Sequence, residues 1–110
     1  MKTIKAKFLR TLYEKSIGLV GARAPYPAYF HTRWGIHTFG MKFPIDVLVL
    51  NKEGRIVKMK QKVSPNRIFM WNPIFQTIVE LPAGEIGKRG LAQGETITLV
   101  TQSIAHTVIR

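Results

Sequence analysis

Asp46 has the clearest chemical potential in this sequence because it stands alone among apolar residues. The run Ile-Asp-Val-Leu-Val-Leu at 45–50 predicts a strand, whose side chains point alternately to its two sides. Both sides are apolar, which is typical of a strand covered on both faces. An unpaired carboxylate there is too costly, so we expect donors from backbone N–H groups, Thr38, Lys42 or a nearby arginine. Asp46 is therefore either a structural anchor for a loop, which we favour, or a ligand-binding or catalytic acid in a cleft.

Glu80 presents the same choice. It lies between Val79 and Leu81, shortly before a predicted helix. A carboxylate at that place stabilises the positive N-terminus of the helix dipole. We therefore expect Glu80 to cap the helix, with ligand binding as the alternative.

His31 and His37 fall on the two arms of a predicted hairpin, which could bring them near each other or near Asp46. Such a group could bind a metal or transfer protons. The spacing of these residues matches no recognised metal motif. The sequence also has no cysteine, which excludes a thiolate metal ligand, a disulfide and a cysteine nucleophile. We predict no metal site and no cofactor, and keep a small acid-base or metal-assisted enzyme around His37 and Asp46 as an alternative.

The charge of the chain allows an anionic partner, although we favour the simpler interpretation of a solubilising or heat-tolerant surface. Seventeen Lys and Arg against six Asp and Glu give a formal net charge of +11, which attracts phosphate backbones, anionic lipid or an acidic protein. Strand alternation predicts two lysine stripes, namely Lys58, Lys60 and Lys62, with Val57, Met59 and Val63 on the other face, and Lys5 with Lys7. If Trp34, Phe69 or Trp71 were exposed beside them, the surface would suit single-stranded nucleic acid. We favour the other interpretation, in which the lysines protect an edge strand while the aromatic residues are core.

The elements that position these residues can be predicted from periodicity and turn residues. We expect a strand at 3–8, a helix from the capping box at Thr11 and Glu14 to Gly18, and a hairpin of strands 28–33 and 36–41. A second hairpin joins strands 45–50 and 55–63 through the turn 51–54. A strand at 75–81, a helix at 82–89 closed by Gly90 with Leu91 touching Ile86, and a strand at 95–100 complete the pattern.

These elements predict an α+β fold, a compact and mainly antiparallel β-sheet domain with two short helices. The length of 110 residues predicts a single domain spanning 1–110. The first residues alternate charged and apolar side chains, unlike a secretory signal, and no apolar run approaches a membrane span. We therefore expect a cytoplasmic protein.

Several motifs give the sequence a family resemblance. The central one is Ile-His-Thr-Phe-Gly-Met-Lys-Phe-Pro-Ile-Asp-Val-Leu at 36–48. It is accompanied, in order, by Thr11 with Gly18-Leu19, by Gly-Arg-Ile-Val at 54–57, by Glu-Leu-Pro-Ala-Gly at 80–84, and by Gly90-Leu91 and Gly94. Over about 11–95 the chain resembles the family called domain of unknown function 192, or uncharacterised protein family 0127. The resemblance implies a mainly antiparallel β domain with short helices and no known activity.

The leading hypothesis is a non-enzymatic binding module with an unknown ligand. Its hypothetical site groups five residues, His37, Thr38, Met41, Asp46 and Glu80. A nucleic-acid-binding protein using Lys5, Lys7, Lys58, Lys60 and Lys62 is the first alternative, and the small enzyme is the second.

Overall fold

The computed structural model describes residues 2–9, 26–32, 35–38, 41–72, 74–75 and 77–102, without the side chain of His37. Within these ranges there are eight strands and one helix: β1 (Lys2–Phe8), β2 (Ala28–His31), β3 (Ile36–His37), β4 (Ile45–Leu50), β5 (Ile56–Val63), β6 (Ile68–Phe69), β7 (Thr77–Pro82), α1 (Glu85–Arg89) and β8 (Ile97–Thr101). The predicted helix from Thr11 to Gly18, the residue Trp34 and the tail after Gln102 lie outside the described residues.

The fold is mainly β, and the prediction of an α+β fold with two short helices is wrong. In the described residues the helical content is the five-residue α1. The main sheet has the strand order β5-β4-β7-β2-β1-β8, and β3 pairs separately with β6. The pairs β5–β4, β4–β7 and β7–β2 are antiparallel, whereas β1 runs parallel to both β2 and β8. The sheet is therefore mixed.

The hairpin predicted between 28–33 and 36–41 is wrong. β2 pairs with β1 and β7, and β3 pairs with β6, because alternation identifies a strand but does not identify its partner. The second hairpin is confirmed, since β4 pairs antiparallel with β5 across the turn after Leu50. β4 also pairs with β7, and all six of its residues are buried, as its apolar residues on both sides predict.

The sheet curls into a half-barrel with a core on each side. Arg55 bridges to Thr96, and Ile97 donates its N–H to the Gly54 carbonyl at 2.9 Å, so the beginnings of β5 and β8 meet. The inner core, which the curled sheet encloses with α1, consists of Ile4, Ala6, Leu48, Leu50, Ile56, Val79, Leu81, Ile86, Leu91 and Ile97. The outer core, on the opposite face, consists of Leu9, Ala28, Phe30, Met41, Ile45, Val47, Val49, Val63, Trp71 and Ile78.

The outer core is covered by a layer of loops and short strands. We call the described residues of 35–38, 41–43, 64–72 and 74–75 the covering layer. Ile36, Phe69 and Phe75 of this layer pack against the outer core, and the two-residue strands β3 and β6 pair within it. The layer is therefore attached to the sheet mainly through side chains.

Helix α1 begins later than the sequence predicts but ends at the predicted cap. Pro82 is the last residue of β7, opposite Ile45, and the helix begins at Glu85. At its end Gly90 has φ 62° and ψ 37°, and the N–H groups of Gly90 and Leu91 donate to the carbonyls of Gly87 and Ile86. This is the predicted Schellman arrangement, with Ile86 and Leu91 in the inner core.

Candidate functional site

Asp46 is bound to backbone N–H groups at the start of α1. Its side chain is on the inner face, with 0% of its surface exposed. Oδ2 accepts hydrogen bonds from the backbone N–H groups of Gly84 at 3.1 Å and Ile86 at 2.9 Å. Oδ1 accepts one from the N–H of Lys62 at 2.9 Å. Backbone donors therefore satisfy the buried carboxylate, which ties β5 and α1 to β4 and is closed to a ligand in this structure.

The bond to Lys62 depends on an irregularity in β5. The register shifts between the pairs Ile45–Val63 and Val47–Lys60, so β5 has one extra residue opposite Asp46. Lys62 there has a positive φ of 52°, which is unusual for a residue with a side chain. The bulge turns the Lys62 N–H toward the carboxylate.

Glu80 does not cap α1, and that prediction is wrong because Asp46 binds the first N–H groups of the helix. Glu80 is opposite Val47 on β4 and Ala28 on β2, both members of the outer core. Its side chain therefore points to the outer face, with 6% of its surface exposed. Among the described residues no cation or hydrogen-bond donor contacts the carboxyl group, and burial raises the pKa of Glu80 to about 7.

Thr38 holds the covering layer together. Its Oγ1 donates to the Ser64 carbonyl at 2.7 Å and accepts from the Arg67 N–H at 2.8 Å. Its own N–H donates to the Arg67 carbonyl, and its carbonyl accepts from the N–H groups of Met41 and Asn66. Thr38 is buried, and these contacts account for both its side chain and its backbone. We call this set of bonds the Thr38 latch.

The hypothetical five-residue site is divided between the two faces of the sheet. Asp46 points to the inner face, whereas Glu80 points to the outer face and Met41 is packed in the outer core. His37 is in β3, within the covering layer, with its backbone paired to Ile68. The sheet therefore separates Asp46 from the other members of the group.

The two histidines do not belong to one hairpin. His31 is exposed at the end of β2, where its Nδ1 is 3.3 Å from Thr77 Oγ1 and its ring packs against Phe8. In the described ranges no three His, Asp or Glu side chains come together as a group that could hold a metal.

Three cationic side chains line one groove beside β5. The groove has a volume of about 320 Å³ and is lined by Lys60, Lys62, Val63, Ser64, Arg67, Ile68 and Phe69. We call it the basic groove. One wall is the edge strand β5, and the other is the part of the covering layer that the Thr38 latch holds in place.

The predicted alternation of β5 is interrupted by the bulge. Lys58 and Lys60 are opposite Val49 and Val47 and point to the outer side, but Val63, which alternation places on the other face, is also in the outer core. Lys62 and Lys60 nevertheless line the same groove. Lys58 is beside the groove, with Nζ 2.9 Å from the Met70 carbonyl oxygen and 5.0 Å from the centre of the Phe69 ring.

The other residues of the predicted nucleic-acid surface are elsewhere. Lys5 and Lys7 are on β1, and in the sheet β4, β7 and β2 lie between that strand and β5. Lys7 lies over the ring of Tyr26, at 5.8 Å from its centre. Trp71 is buried in the outer core, with Nε1 donating to the Phe75 carbonyl at 2.8 Å, so it is unavailable for stacking on a ligand.

The sequence reasoning missed Arg67 and the exposed apolar residues near it. Ile68 is 65% exposed, Met70 61% and Ile74 71%, whereas Trp71 and Phe69 point toward the core. All four residues at 68–71 are apolar, so the sequence does not show which of them are exposed. The position of Arg67 opposite Lys60 and Lys62 is not predictable either, because it depends on contacts between Thr38 and residues more than twenty positions away.

The fold and the motifs define a family. The model of the family DUF192, described as Uncharacterized ACR, COG1430, matches residues 1–99, so the chain belongs to this family, as its motifs predict. A search of curated proteins found no significant match.

Two solved structures have a similar fold. A protein of unknown function from Novosphingobium aromaticivorans has a TM-score of 0.73 at 14% identity, and the match covers 83% of this chain and 71% of that one. A "putative transcription regulator" from Sinorhizobium meliloti has a TM-score of 0.70 at 20% identity, covering 81% of this chain and 76% of that one. These likenesses establish the fold. Within the described ranges, no helix is long and apolar enough to cross a membrane.

Proposed function

We propose that this protein is a non-enzymatic binding module whose ligand is a single-stranded nucleic acid held in the basic groove. The observation that carries the proposal is the convergence of Lys60, Lys62 and Arg67 on one groove. A cytoplasmic location, expected from the sequence, is part of this proposal.

The cations of the groove are available to a ligand. Lys60, Lys62 and Arg67 are exposed, and none of them forms an ion pair with a described residue. The described residues that line the groove include no carboxylate. Phosphate groups bound there would release counterions, which favours association and makes it depend on salt.

Apolar side chains beside the cations favour a nucleic acid over a simple anion. Ile68 and Phe69 line the groove together with its cations, and the exposed Met70 follows them in sequence. Bases stack or pack on such surfaces while phosphates contact the lysines, without a requirement for base-specific hydrogen bonds. The groove is therefore suited to a flexible single strand whose bases are unpaired.

The experiment measures binding of labelled single-stranded DNA and RNA oligonucleotides by fluorescence anisotropy and compares two charge-matched variants with the wild type. The salt concentration is varied from about 50 to about 200 mM, because binding through phosphate contacts weakens strongly over that range. The test variant is K60Q/K62Q/R67Q. The control is K5Q/K52Q/K88Q, three exposed lysines outside the groove. Both variants lose the same charge.

We expect wild-type binding to weaken steeply with salt. Three phosphate contacts to a single strand contribute about 2 to the slope of log Kobs against log salt, so the test variant should lose about that slope. The control should keep it. Absent binding at the lowest salt, affinity independent of salt, or equal losses in both variants would refute the proposal.

A further inference from the structure

We infer that the protonation state of Glu80 controls the opening of the covering layer. A neutral carboxyl group is compatible with the closed layer, and an ionised one favours its opening. The inference concerns the conformation of the outer face and does not depend on which ligand the basic groove binds.

The carboxyl group of Glu80 is within a row of apolar side chains. Its direct neighbours across the sheet are Val47 and Ala28, and Ile78 precedes it on the same face of β7. It is nearly inaccessible, and no described residue donates a hydrogen bond to it. An ionised carboxylate without partners is far more costly in such surroundings than a neutral one.

No charged group of the described structure compensates Glu80. Lys60 on β5 and Lys7 on β1 are opposite Val47 and Ala28, so each backbone is two strand spacings, or about 10 Å, from that of Glu80. Lys58 and Lys5 are on the same two strands, and Lys42 and Arg67 belong to the covering layer. None of these six forms an ion pair with Glu80. Across the sheet, Asp46 is bound to backbone N–H groups.

The covering layer can open without unfolding the sheet. The described hydrogen bonds within it are few: those of the two-residue strands β3 and β6, those of the Thr38 latch, and local bonds between residues 71 and 75. Segments with few backbone bonds to the rest of a protein are those that open locally at low cost in free energy. Opening would give water access to the outer face, where it could hydrate the carboxylate.

Linkage gives the direction of the pH effect. Burial raises the pKa of Glu80 to about 7, whereas a hydrated carboxyl group has the ordinary value of 4.5. The closed state therefore retains a proton that the open state releases. Closure is most favoured when the pH is below the ordinary pKa of 4.5, and it weakens as the pH rises toward the raised pKa of about 7. The equilibrium constant for opening of the layer therefore increases about tenfold between roughly pH 6 and 8.

The test is hydrogen exchange measured by NMR, with protection factors corrected for the intrinsic effect of pH. The reporters are the amides of Met41, Asn66 and Arg67, which are bonded to Thr38. The amides of Gly84 and Ile86, bonded to Asp46 on the inner face, are internal controls. Wild type is compared with Glu80→Gln, which has nearly the same shape and no titration. This comparison also removes any pH dependence that does not come from Glu80.

We expect protection of the latch amides to fall about tenfold from roughly pH 6 to 8 in wild type and to stay constant in E80Q, with the control amides unchanged in both. The same fall in E80Q, or constant protection in wild type, would overturn the inference. If E80Q fails to fold, NMR titration of the Glu80 carboxyl carbon in wild type decides: a midpoint near neutrality supports the inference, and an ordinary midpoint overturns it.

Discussion

Asp46 and Glu80 are on neighbouring strands, yet they have opposite environments. Asp46 is opposite Leu81 and Glu80 is opposite Val47, so the two side chains project from opposite faces of the sheet. One carboxylate accepts three backbone hydrogen bonds, and the other is surrounded by apolar side chains. The two residues occupy adjacent paired positions along β4 and β7, and adjacent positions point to opposite faces. This places Asp46 among backbone donors and Glu80 among apolar side chains.

Asp46→Asn tests the structural role. The asparagine side chain has nearly the same shape as aspartate but carries no charge. It also replaces one acceptor oxygen by an NH₂ group, which would face a backbone N–H and cannot accept its hydrogen bond. Hydrogen bonds to charged groups contribute about 1.5–3 kcal/mol each, so we expect a loss of about 3 kcal/mol in the free energy of unfolding, measured by urea denaturation.

Glu53→Gln is the control for that measurement, since Glu53 is exposed in the turn between β4 and β5. Its effect should stay within about 0.5 kcal/mol. If D46N changed stability by less than about 1 kcal/mol, the three bonds would not be the anchor that the geometry indicates.

The sequence predicts that Asp46 requires hydrogen-bond donors, but it does not predict which groups donate. A carboxylate in a strand that is apolar on both sides must be satisfied, and this argument requires only alternation. The donors Gly84 and Ile86 are 38 and 40 residues away, and their position depends on α1 lying across the inner face. Proximity in sequence predicts that Glu80 caps α1, but its side chain is on the face of the sheet opposite to the helix.

At the scale of elements, α1 shows how local signals end a helix. The left-handed conformation of Gly90 allows its N–H and that of Leu91 to satisfy the last carbonyls of the helix. Glycine adopts this conformation without steric cost, whereas a residue with a Cβ does not. The C-terminal cap therefore depends on backbone freedom at one position.

Gly90→Ala and Gly87→Ala form a matched pair in the same short helix. A Cβ at Gly90 would meet only Lys2 Nζ at 3.5 Å, so its cost of about 1–2 kcal/mol would come from the left-handed backbone. Gly87 is inside the helix with open space around it, so G87A should stabilise the protein by about 0.5–1 kcal/mol. Thermal or urea unfolding measures both, and equal effects would contradict this account.

The elements whose signals are local were predictable from the sequence. The β4–β5 hairpin with its turn, the strand β1 and the cap of α1 depend on residues close in sequence. The partners of β2 and β3 were not predictable, because β2 pairs with β7 and β3 with β6, both distant in sequence. Alternation is compatible with any partner strand, so it does not distinguish the strand nearest in sequence from a distant one.

For the whole molecule, the meeting of β5 and β8 closes the half-barrel. Gly54 contributes a positive φ of 84°, and a Cβ there would be 2.6 Å from the carbonyl oxygen of Ile97. No real Cβ makes so short a contact, so a side chain would force the two segments apart. The close approach of Gly54 to β8 therefore helps to enclose the inner core.

Gly54→Ala should thus be more harmful than Gly94→Ala. Gly94 also has a positive φ, 93°, but open space surrounds its Cβ position, so G94A measures backbone strain of about 1–2 kcal/mol alone. G54A has this backbone strain and also displaces Ile97 from the place where β5 and β8 meet. We expect it to lower the free energy of unfolding by at least about 2 kcal/mol more than G94A, because hydrogen bonds between the two segments and packing of the inner core are disturbed. Urea denaturation of both variants checks this, and equal losses would show that the closure tolerates the shift.

The parallel pair of β1 and β8 determines when during synthesis the fold can be completed. Lys2 pairs with Ile97, so β1 is synthesised well before its partner β8. Until then Ile4 and Ala6 have no enclosed core to enter. Contacts so distant in sequence form slowly. We therefore expect the β1 edge that β8 covers to stay exposed in the nascent chain until β8 has been synthesised, and to be prone to aggregation during that time.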